Sequence, residues 1–253
     1  MKAGSLALMR RPYCRAALVS FLSIATLVPG GRARACGASA GGAAGISGCS
    51  LEEHEERVRP KWRVGADDSF TSTGLHFGNG LAVDEVRNSA LVTLDYRPVR
   101  GWTLEVGAGA ILGGTLTASS AKYALGPGFA TVAGVSWRVI DADRAVPFVL
   151  LTSQLSYASS SSSGGAGYNA FDLRLGAAVG TTFRNVLTPY VAGRAFGGPI
   201  YWRYQGAAIV GTDDHHWQAG VGLSVLLAQR ADFFLEGMPL GELGVTAGGG
   251  VSF

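Results

Sequence analysis

The chain has 253 residues, of which 47% are hydrophobic, 15% are charged and 38 are glycine, and its formal net charge is +3. Glycine is about twice as frequent as in an average protein, where its share is ~7%. The composition is too apolar for a disordered chain and too poor in charge for an ordinary soluble enzyme, and no uninterrupted apolar run reaches the ~18 residues of a helical membrane span.

The first predicted element, residues 1–35, is a cleaved secretory signal peptide. It carries six basic side chains and no acidic one, and an apolar stretch from Ala16 to Val28 ends at Pro29. Ala33-Arg34-Ala35 then supplies small residues at the two positions that a signal peptidase reads. Removal of this leader leaves 15 basic groups against 18 acidic ones, a net charge of −3. A nucleic-acid partner therefore has no support from charge.

A predicted periplasmic segment, residues 36–61, follows the leader and contains Cys36 and Cys49 among mostly small residues. Export places both thiols in an oxidising compartment, where we expect a disulfide bond. The alternative is lipid modification of Cys36 at the new N-terminus, although Ala33 stands where that processing prefers leucine. Ser50-Leu51-Glu52-Glu53 fits the capping box at the start of a short helix.

From residue 62 to residue 253 the chain alternates between apolar and small or polar residues. Between Trp102 and Leu112, every even-numbered position is apolar, whereas the odd positions include Thr103, Glu105 and two glycines. A period of two indicates β-strands. Eight strands remain possible if the first segment or the last hairpin behaves differently, but the pattern predicts ten. The predicted strands are Trp62–Phe70, Asn88–Arg97, Trp102–Leu112, Phe129–Val139, Phe148–Tyr157, Ala170–Phe183, Tyr190–Phe196, Trp217–Leu227, Asp232–Met238 and Leu243–Phe253.

The turns between these strands alternate in predicted length, as expected for an up-and-down antiparallel meander. Short turns fall near residues 98–101, 141–144, 184–185 and 229–230. Longer polar loops are predicted at residues 78–87, 119–126, 158–167 and 204–216, and the serine run 159–163 is expected to be a flexible external loop.

The less apolar face of each strand distinguishes two all-β architectures. In a soluble sandwich this face meets water and should be rich in Lys, Glu and Thr. Here it consists mostly of Gly, Ala and Ser, which suits the crowded interior of a closed barrel whose apolar face meets lipid. The pattern therefore favours an up-and-down antiparallel transmembrane β-barrel, with a soluble secreted β-sandwich as the alternative.

Aromatic residues cluster near both ends of the predicted strands. Membrane interfaces select two such belts about ten residues apart. The belt beside the short turns comprises Trp62, Tyr96, Trp102, Trp137, Phe183, Tyr190 and Phe233. The belt toward the opposite ends comprises Phe129, Tyr157, Phe171, Tyr201, Trp202 and Trp217.

The last strand, Leu243–Phe253, ends on an aromatic residue that small or apolar residues precede at alternate positions. A terminal Phe253 of this kind resembles the signal by which outer-membrane barrels are handed to the barrel-assembly machinery. Together with the leader and the meander, residues 62–253 resemble small bacterial outer-membrane barrels of the OmpA-like and OmpW-like kind. This resemblance implies a location in the bacterial outer membrane, with outer-membrane lipid and the assembly machinery as partners.

The inward face of the predicted barrel carries isolated charges. Facing lipid, each basic one near the midplane would cost about 2–4 kcal/mol, so the inward assignment is favoured. A barrel of eight to ten strands has an interior that side chains can fill, so these charges are expected to form a layer that holds the barrel together and blocks passage. A narrow charge-lined conduit is the alternative. The predicted inward charges are Asp95, Arg97, Glu105, Arg138, Asp172, Arg174, Arg194 and Glu236.

Glu105 and Glu236 lie four and six residues from a short turn, and together with Arg194 they are expected to share one level of the lumen. Many inward glycines leave additional space. That space is available to the inward aromatic residues Phe196 and Phe234, to water, or to the segment 36–61 as a plug.

Asp213-Asp214-His215-His216, at the predicted outer rim, is the only stretch whose residue types suggest catalysis. Omptin-type outer-membrane proteases use acidic pairs and an Asp-His pair near their outer rim, and the second acidic pair here would be Asp67-Asp68. His215 and His216 are weak metal candidates because adjacent residues of a strand point to opposite faces. We therefore expect no enzyme and no cofactor, and a structural, surface-adhesive or small-ligand role.

Overall fold

The computed structural model describes residues 61–99, 101–140, 147–163, 165–184, 186–227 and 231–253. These residues form one antiparallel sheet, and none of them belongs to a helix that is long and apolar enough to cross a membrane. The predicted leader and the residues Cys36 and Cys49 lie outside the described residues. The strands are β1 (Trp62–Phe77), β2 (Ala82–Tyr96), β3 (Trp102–Ala118), β4 (Ala121–Ile140), β5 (Phe148–Ser162), β6 (Ala166–Gly180), β7 (Leu187–Gly197), β8 (Ile200–Tyr204), β9 (Ala207–Asp213), β10 (Trp217–Leu226), β11 (Ala231–Gly241) and β12 (Leu243–Ser252).

The sheet closes into a barrel because β1 pairs with β12 as well as with β2. The β1–β12 register runs from Arg63 opposite Ser252 to Ser72 opposite Leu243. Trp62 and Phe253 exchange two backbone hydrogen bonds, of 3.2 and 2.9 Å, at the end of this seam. The predicted up-and-down barrel is confirmed, and the sandwich alternative is wrong because there is no second sheet among the described residues. We call the end that holds Trp62 and Phe253 the terminal end and the opposite end the distal end.

The barrel narrows from ten strands to eight toward the distal end. In the wider section, which we call the trunk, the strands in order are β1 to β7, β10, β11 and β12. The β11–β12 hairpin is short and turns at Gly241 and Glu242. Above it β9 pairs directly with β1, with Leu75 opposite Asp213 and Phe77 opposite Gly211. The eight-stranded section formed by the distal ends of β1 to β6 together with β8 and β9 is called the head.

Strands β7 and β8 are two parts of one long strand that follows β6. The last β6–β7 pair is Leu173 with Gly197, and the first β6–β8 pair is Ala170 with Ile200. The intervening Gly197-Gly198-Pro199 removes the side chains and the backbone donor that would keep the ladder regular. Strand β8 then forms a hairpin with β9, and β9 is followed by β10.

Strand lengths differ from the prediction because the four predicted external loops are largely strand. The first strand continues from Phe70 to Phe77, and β5 continues through the serine run to Ser162. The expectation of a flexible loop at residues 159–163 is therefore wrong for 159–162. Alternation persists in the head, but the outward residues there are polar, as at Ser159, Ser161 and Asn169. Because the prediction relied on apolar residues at alternate positions, its strands end before those of the structure.

The outer wall of the trunk is apolar, with Val92, Val106 and Val221 each more than half exposed. Aromatic side chains border this band. Near the terminal end Trp62 stacks on Tyr96 at 4.4 Å and Trp102 on Trp137 at 5.5 Å between ring centroids. Near the head, a chain of ring contacts at 4.7–6.4 Å joins Phe129, Tyr157, Phe171 and Tyr201.

Two residues predicted for the belts, Tyr190 and Trp202, instead face the interior, where they are 4% and 1% exposed. The prediction placed them by their distance from the turns. Strand alternation decides the face, and it puts both on the inner one because Val191 and Tyr201 lie on the outer one.

Candidate functional site

The interior of the trunk is occupied by buried ion pairs, and the group nearest the terminal end is built around Arg63 on β1. Its guanidinium donates to both carboxylate oxygens of Asp232, at 2.9 and 2.6 Å, and to Asp95 at 3.1 Å. All three side chains are at most 2% exposed. The pairing joins β1, β2 and β11, so it connects the two ends of the folded sheet across the seam.

Two inward glycines make room for the Arg63 side chain. A Cβ at Gly250 would lie 2.5–2.6 Å from the guanidinium carbon and nitrogens of Arg63, and one at Gly65 would lie 2.7 Å from another nitrogen. Any larger residue would push the guanidinium away from Asp232. Gly65 and Gly250 thus leave the space that the long Arg63 side chain occupies inside the barrel.

Sequence analysis did not identify Arg63 or Asp232 as lumen residues, although a signal was present. Both are adjacent to outward aromatic residues, Trp62 and Phe233, at the terminal ends of their strands. Alternation extended by one position places both on the inner face.

The predicted charge Glu105 lies directly opposite Asp95 in the β2–β3 register. Two carboxylates in such a cross-strand pair repel each other. Arg63 bonds Asp95, and Gln154 bonds Glu105, which offsets the repulsion. Asp67, on β1, is 5% exposed, and its two carboxylate oxygens have no hydrogen-bond partner among the described residues.

Arg97 and Arg138, also predicted to face inward, are partly buried near the terminal end. The guanidinium of Arg138 lies over the ring of Phe148, 5.1 Å from its centroid. Phe148 itself is 1% exposed, so its side of this cation–π contact is desolvated.

A second ion pair, between Arg194 on β7 and Glu236 on β11, lies farther along the trunk. One guanidinium nitrogen donates to both carboxylate oxygens, at 2.8 and 2.9 Å, and the Tyr190 hydroxyl donates to the same carboxylate at 3.0 Å. The tyrosine ring lies over Gly222, where an added Cβ would overlap it. Of the three residues expected to share one level of the lumen, Arg194 and Glu236 pair with each other, whereas Glu105 lies on the opposite wall beside Asp95.

The third charged group lies where the trunk meets the head. Arg174 on β6 bonds Asp172 on its own strand and Glu242 at 3.1 Å, and it lies 4.9 Å over the ring of Phe196. Asp172 also accepts a hydrogen bond of 3.1 Å from the Gly197 amide. Glu242 forms the tip of the short β11–β12 hairpin, so this ion pair fixes the hairpin beneath the junction of β9 with β1.

Asp213, the last residue of β9, faces this third group. Burial, together with the neighbouring carboxylates of Glu242, Asp172 and Glu85, raises the pKa of its carboxyl to about 7, while Arg174 opposes the shift. Glu85 is in turn held by Arg87 at 3.3 Å and by the Tyr168 hydroxyl at 2.8 Å.

The head has an apolar interior in place of the charges. Leu75, Phe77, Leu116, Tyr168 and Trp202 are each at most 1% exposed and belong to one cluster. The indole nitrogen of Trp202 donates to the Ser162 hydroxyl at 3.1 Å, so its polar atom is satisfied within the core. This packing closes the distal end of the lumen.

The rim sequence does not assemble with the other acidic pair. Asp213 faces inward, whereas Asp214 is exposed and lies against Gly74. Asp67 lies seven residues from Gly74 along β1, which is roughly 23 Å at the rise of a strand, and Asp68 is exposed on the outer wall.

His215 and His216 are both exposed. Among the described residues there is no group of three or more His, Cys, Asp or Glu side chains that could hold a metal ion.

Comparisons with known proteins find similar solved structures at low sequence identity. No protein-family model matches it, and no curated protein matches it. The translocator domain of the autotransporter NalP from Neisseria meningitidis is similar with a TM-score of 0.42 at 14% identity, covering 79% of this chain and 90% of that one. The outer membrane protease OmpT from Escherichia coli has a TM-score of 0.48 at 11% identity, covering 76% and 97%. The COG4313 outer membrane channel from Pseudomonas putida F1 has a TM-score of 0.34 at 10% identity, covering 81% and 100%.

Proposed function

We propose that the chain is a bacterial outer-membrane barrel with a closed lumen, which presents its head outside the cell as a structural, adhesive or small-ligand surface protein. The outer wall supports insertion in a bilayer. Its exposed valine and leucine side chains form a continuous band between two aromatic rows, far more apolar surface than a soluble monomer leaves in water. Closure of the sheet satisfies the backbone groups that lipid cannot.

The location follows from the same proposal. The predicted leader, residues 1–35, directs export, and Phe253 at the end of the seam serves as the signal for the barrel-assembly machinery. Both termini of the barrel lie at one end, together with the short turns, which suits the periplasmic side. The head then lies outside, where its outward serine, threonine and asparagine side chains meet water.

The observation that carries the closed lumen is the narrowing from ten strands to eight. An eight-stranded barrel has an interior just wide enough for side chains, and in the head these are apolar and fully buried. Beneath it, the buried ion pairs Arg174–Glu242, Arg194–Glu236 and Arg63–Asp232 occupy part of the trunk interior.

Planar-bilayer recording tests this proposal. The purified barrel should give no steady single-channel steps. A matched variant in which a short turn replaces residues 200–213, removing β8 and β9, should conduct because the distal closure is gone. Steady steps from the unaltered protein would support the narrow conduit instead, and recovery of the protein from the soluble periplasm would contradict the membrane location.

The proposal assigns no enzymatic activity. The separation of Asp67 and Asp68 from the rim residues removes the paired arrangement that an omptin-type mechanism would need. Peptide hydrolysis by the purified barrel, abolished in Asp214→Asn and in His216→Ala but not in Asp68→Asn, would overturn this part.

A further inference from the structure

The turn between β1 and β2 carries the one asparagine of the chain that is followed by glycine, Asn79 before Gly80. Asn-Gly is common in hairpin turns because both residues tolerate the backbone conformations that such turns need. Both residues are exposed at the distal rim of the head, which we call its mouth. The pair also has a chemical reactivity that closure of the barrel does not use.

The side chain of Asn79 is folded back over the peptide bond that follows it. Its Oδ1 accepts a hydrogen bond of 3.1 Å from the Leu81 amide, which makes an Asx turn. This arrangement brings the side-chain carbonyl carbon, Cγ, to the side of the Gly80 nitrogen. The same hydrogen bond draws electron density from the carbonyl group and makes its carbon more electrophilic.

Gly80 leaves its nitrogen open to that carbon. Its φ is 81°, and no heavy atom beyond the adjoining residues lies within 4 Å of the position that a Cβ would take. Glycine therefore permits the close approach that a side chain would hinder. The Gly80 amide donates to the Phe77 carbonyl at 2.9 Å, so attack requires this bond to open. At an exposed turn such local opening costs little free energy.

The two asparagines in the described strands lack this combination. Asn88 is exposed, but the next residue, Ser89, is paired with a strand on each side. The Oδ1 of Asn169 accepts a hydrogen bond of 2.8 Å from the Tyr157 hydroxyl, and the Ala170 that follows is buried. In both cases the following residue also carries a Cβ. Exposure alone therefore does not make an asparagine of this barrel reactive.

We propose that Asn79 is a site of spontaneous deamidation in the folded barrel. The Gly80 nitrogen gives its proton to solvent base and bonds to Cγ of Asn79. The Cγ–Nδ2 bond breaks, and the nitrogen takes up a proton and leaves as ammonia, which closes a five-membered succinimide. Water then adds to one of the two ring carbonyls and opens the ring to aspartate or to isoaspartate. No oxidant or reductant is needed, and water is the only co-reactant.

The modified turn lies directly over the apolar core of the head. The Phe77 amide donates to the Leu81 carbonyl at 2.9 Å, and the Gly78 amide donates to the Val210 carbonyl at 3.0 Å. Isoaspartate adds a carboxylate and lengthens the backbone by one atom between Phe77 and Leu81. Because Phe77 is fully buried and Leu81 packs against the same cluster, this change should loosen the distal closure. The reaction is irreversible in water, so the converted fraction increases with the age of the protein.

Peptide mapping by mass spectrometry tests the proposal on the folded barrel in detergent, kept at 37 °C. Conversion appears as a gain of one mass unit at Asn79, and resistance of part of the product to endoproteinase Asp-N identifies isoaspartate. Asn79 should convert roughly tenfold faster than Asn88 or Asn169. Its conversion should be faster at pH 8.5 than at pH 6.5, because the nucleophile is the deprotonated amide. Asn79→Gln, which would have to close a six-membered ring, should stay unconverted.

Amide exchange on aged protein tests the effect on the head. The Phe77 amide should exchange faster in the isoaspartate form, whereas a trunk amide such as that of Val106 should not change. Asn79→Asp is the matched control, since it adds the charge without the extra backbone atom and should exchange like the unaltered protein. No conversion at Asn79, or equal conversion at all three asparagines, overturns the site, and unchanged exchange at Phe77 overturns its effect. Neither result affects the bilayer recordings that test the closed lumen.

Discussion

The trunk and the head share strands β1 to β6 but are filled in different ways. The ten-stranded trunk holds Arg63, Arg174 and Arg194 with their carboxylate partners beside a smaller apolar cluster around Phe148, whereas the eight-stranded head holds a larger apolar cluster around Trp202. Barrel diameter grows with strand number, so the trunk has a wider interior to fill. Long charged side chains fill part of it by lying over glycines, as Arg63 lies over Gly65 and Gly250.

This difference predicts different sensitivities. The trunk should respond to changes of size at its glycines and to loss of a charge partner. The head should respond to loss of apolar volume and, through Asp213, to pH.

The largest effect is expected from Gly222→Val in the trunk. The new side chain would overlap the Tyr190 ring, which is buried and bonded to Glu236, so neither can move aside. Overpacking of this degree should destabilise the barrel by about 3 kcal/mol or more. The measurement is the fraction of protein that shows heat-modifiable gel mobility after insertion.

The matched control is Gly237→Val on the neighbouring strand, where an added Cβ meets no atom within 4 Å. That variant should fold like the unaltered protein. Equal folding of both variants would show that the inward glycines do not hold the large side chains in place.

A loss of similar size is expected from Arg63→Met. The change leaves Asp95 and Asp232 buried without their cation, and such a loss destabilises by about 3–5 kcal/mol. Unfolding by guanidinium in detergent micelles, followed by tryptophan fluorescence, gives the free-energy change. Arg203→Met, on the exposed surface of the head, serves as the control and should change stability by less than about 0.5 kcal/mol.

Adding Asp95→Asn and Asp232→Asn to Arg63→Met should recover more than half of the loss, because the stranded charges are then removed. A triple variant no more stable than Arg63→Met would assign the loss to packing of the arginine stem instead of to charge.

In the head, Leu116→Ala should destabilise by about 2–3 kcal/mol, at the lower end of the range for buried leucine, because the core there lies near the mouth. The effect should be local. Amide hydrogen exchange should speed up in the head strands, while heat-modifiable mobility, which reports the trunk, persists. Leu112→Ala on the lipid-facing side of the same strand is the control, and matching exchange in both variants would contradict a packed apolar head.

The trunk wall was predictable because its signal is local. Between Trp102 and Leu112 the type of each residue indicates which face of the strand it occupies, so the alternation alone identifies β3. The same pattern in the other segments gives the count of ten strands. The head was not predictable in this way, since polar outward residues such as Ser159 and Asn169 make its strands resemble loops. The narrowing to eight strands depends on the β1–β9 pairing, which no local pattern carries.

The grouping of charges was only partly predictable for a related reason. Alternation correctly indicates which face a residue occupies, but it says nothing about its height around a tilted barrel. Glu105 and Arg194, which were grouped by distance from a turn, have different partners: Glu105 is bonded to Gln154 and Arg194 to Glu236. Glu242 was missed because it occupies a turn, where alternation gives no signal.

The smallest expected effect concerns the pH dependence of the β1–β9 junction. The pKa of Asp213 is about 7 in the folded barrel and about 3.9 in an unfolded chain, because burial and the facing carboxylates of Glu242, Asp172 and Glu85 favour the protonated form, against Arg174. A raised folded pKa means that the junction has its full stability below about pH 4 and loses it as the pH rises through 7.

Amide exchange at Phe77 and Thr212, corrected for the intrinsic rate, should therefore show less protection at pH 8 than at pH 5.5. Asp213→Asn should remove most of this difference, since the amide cannot ionise, while Asp214→Asn, exposed one residue away, should keep it. A pH dependence that survives Asp213→Asn would move the titration to the other carboxylates of the junction. Because only three residue pairs join β9 to β1, even a modest change in Asp213 should register there before it reaches the ten-stranded trunk.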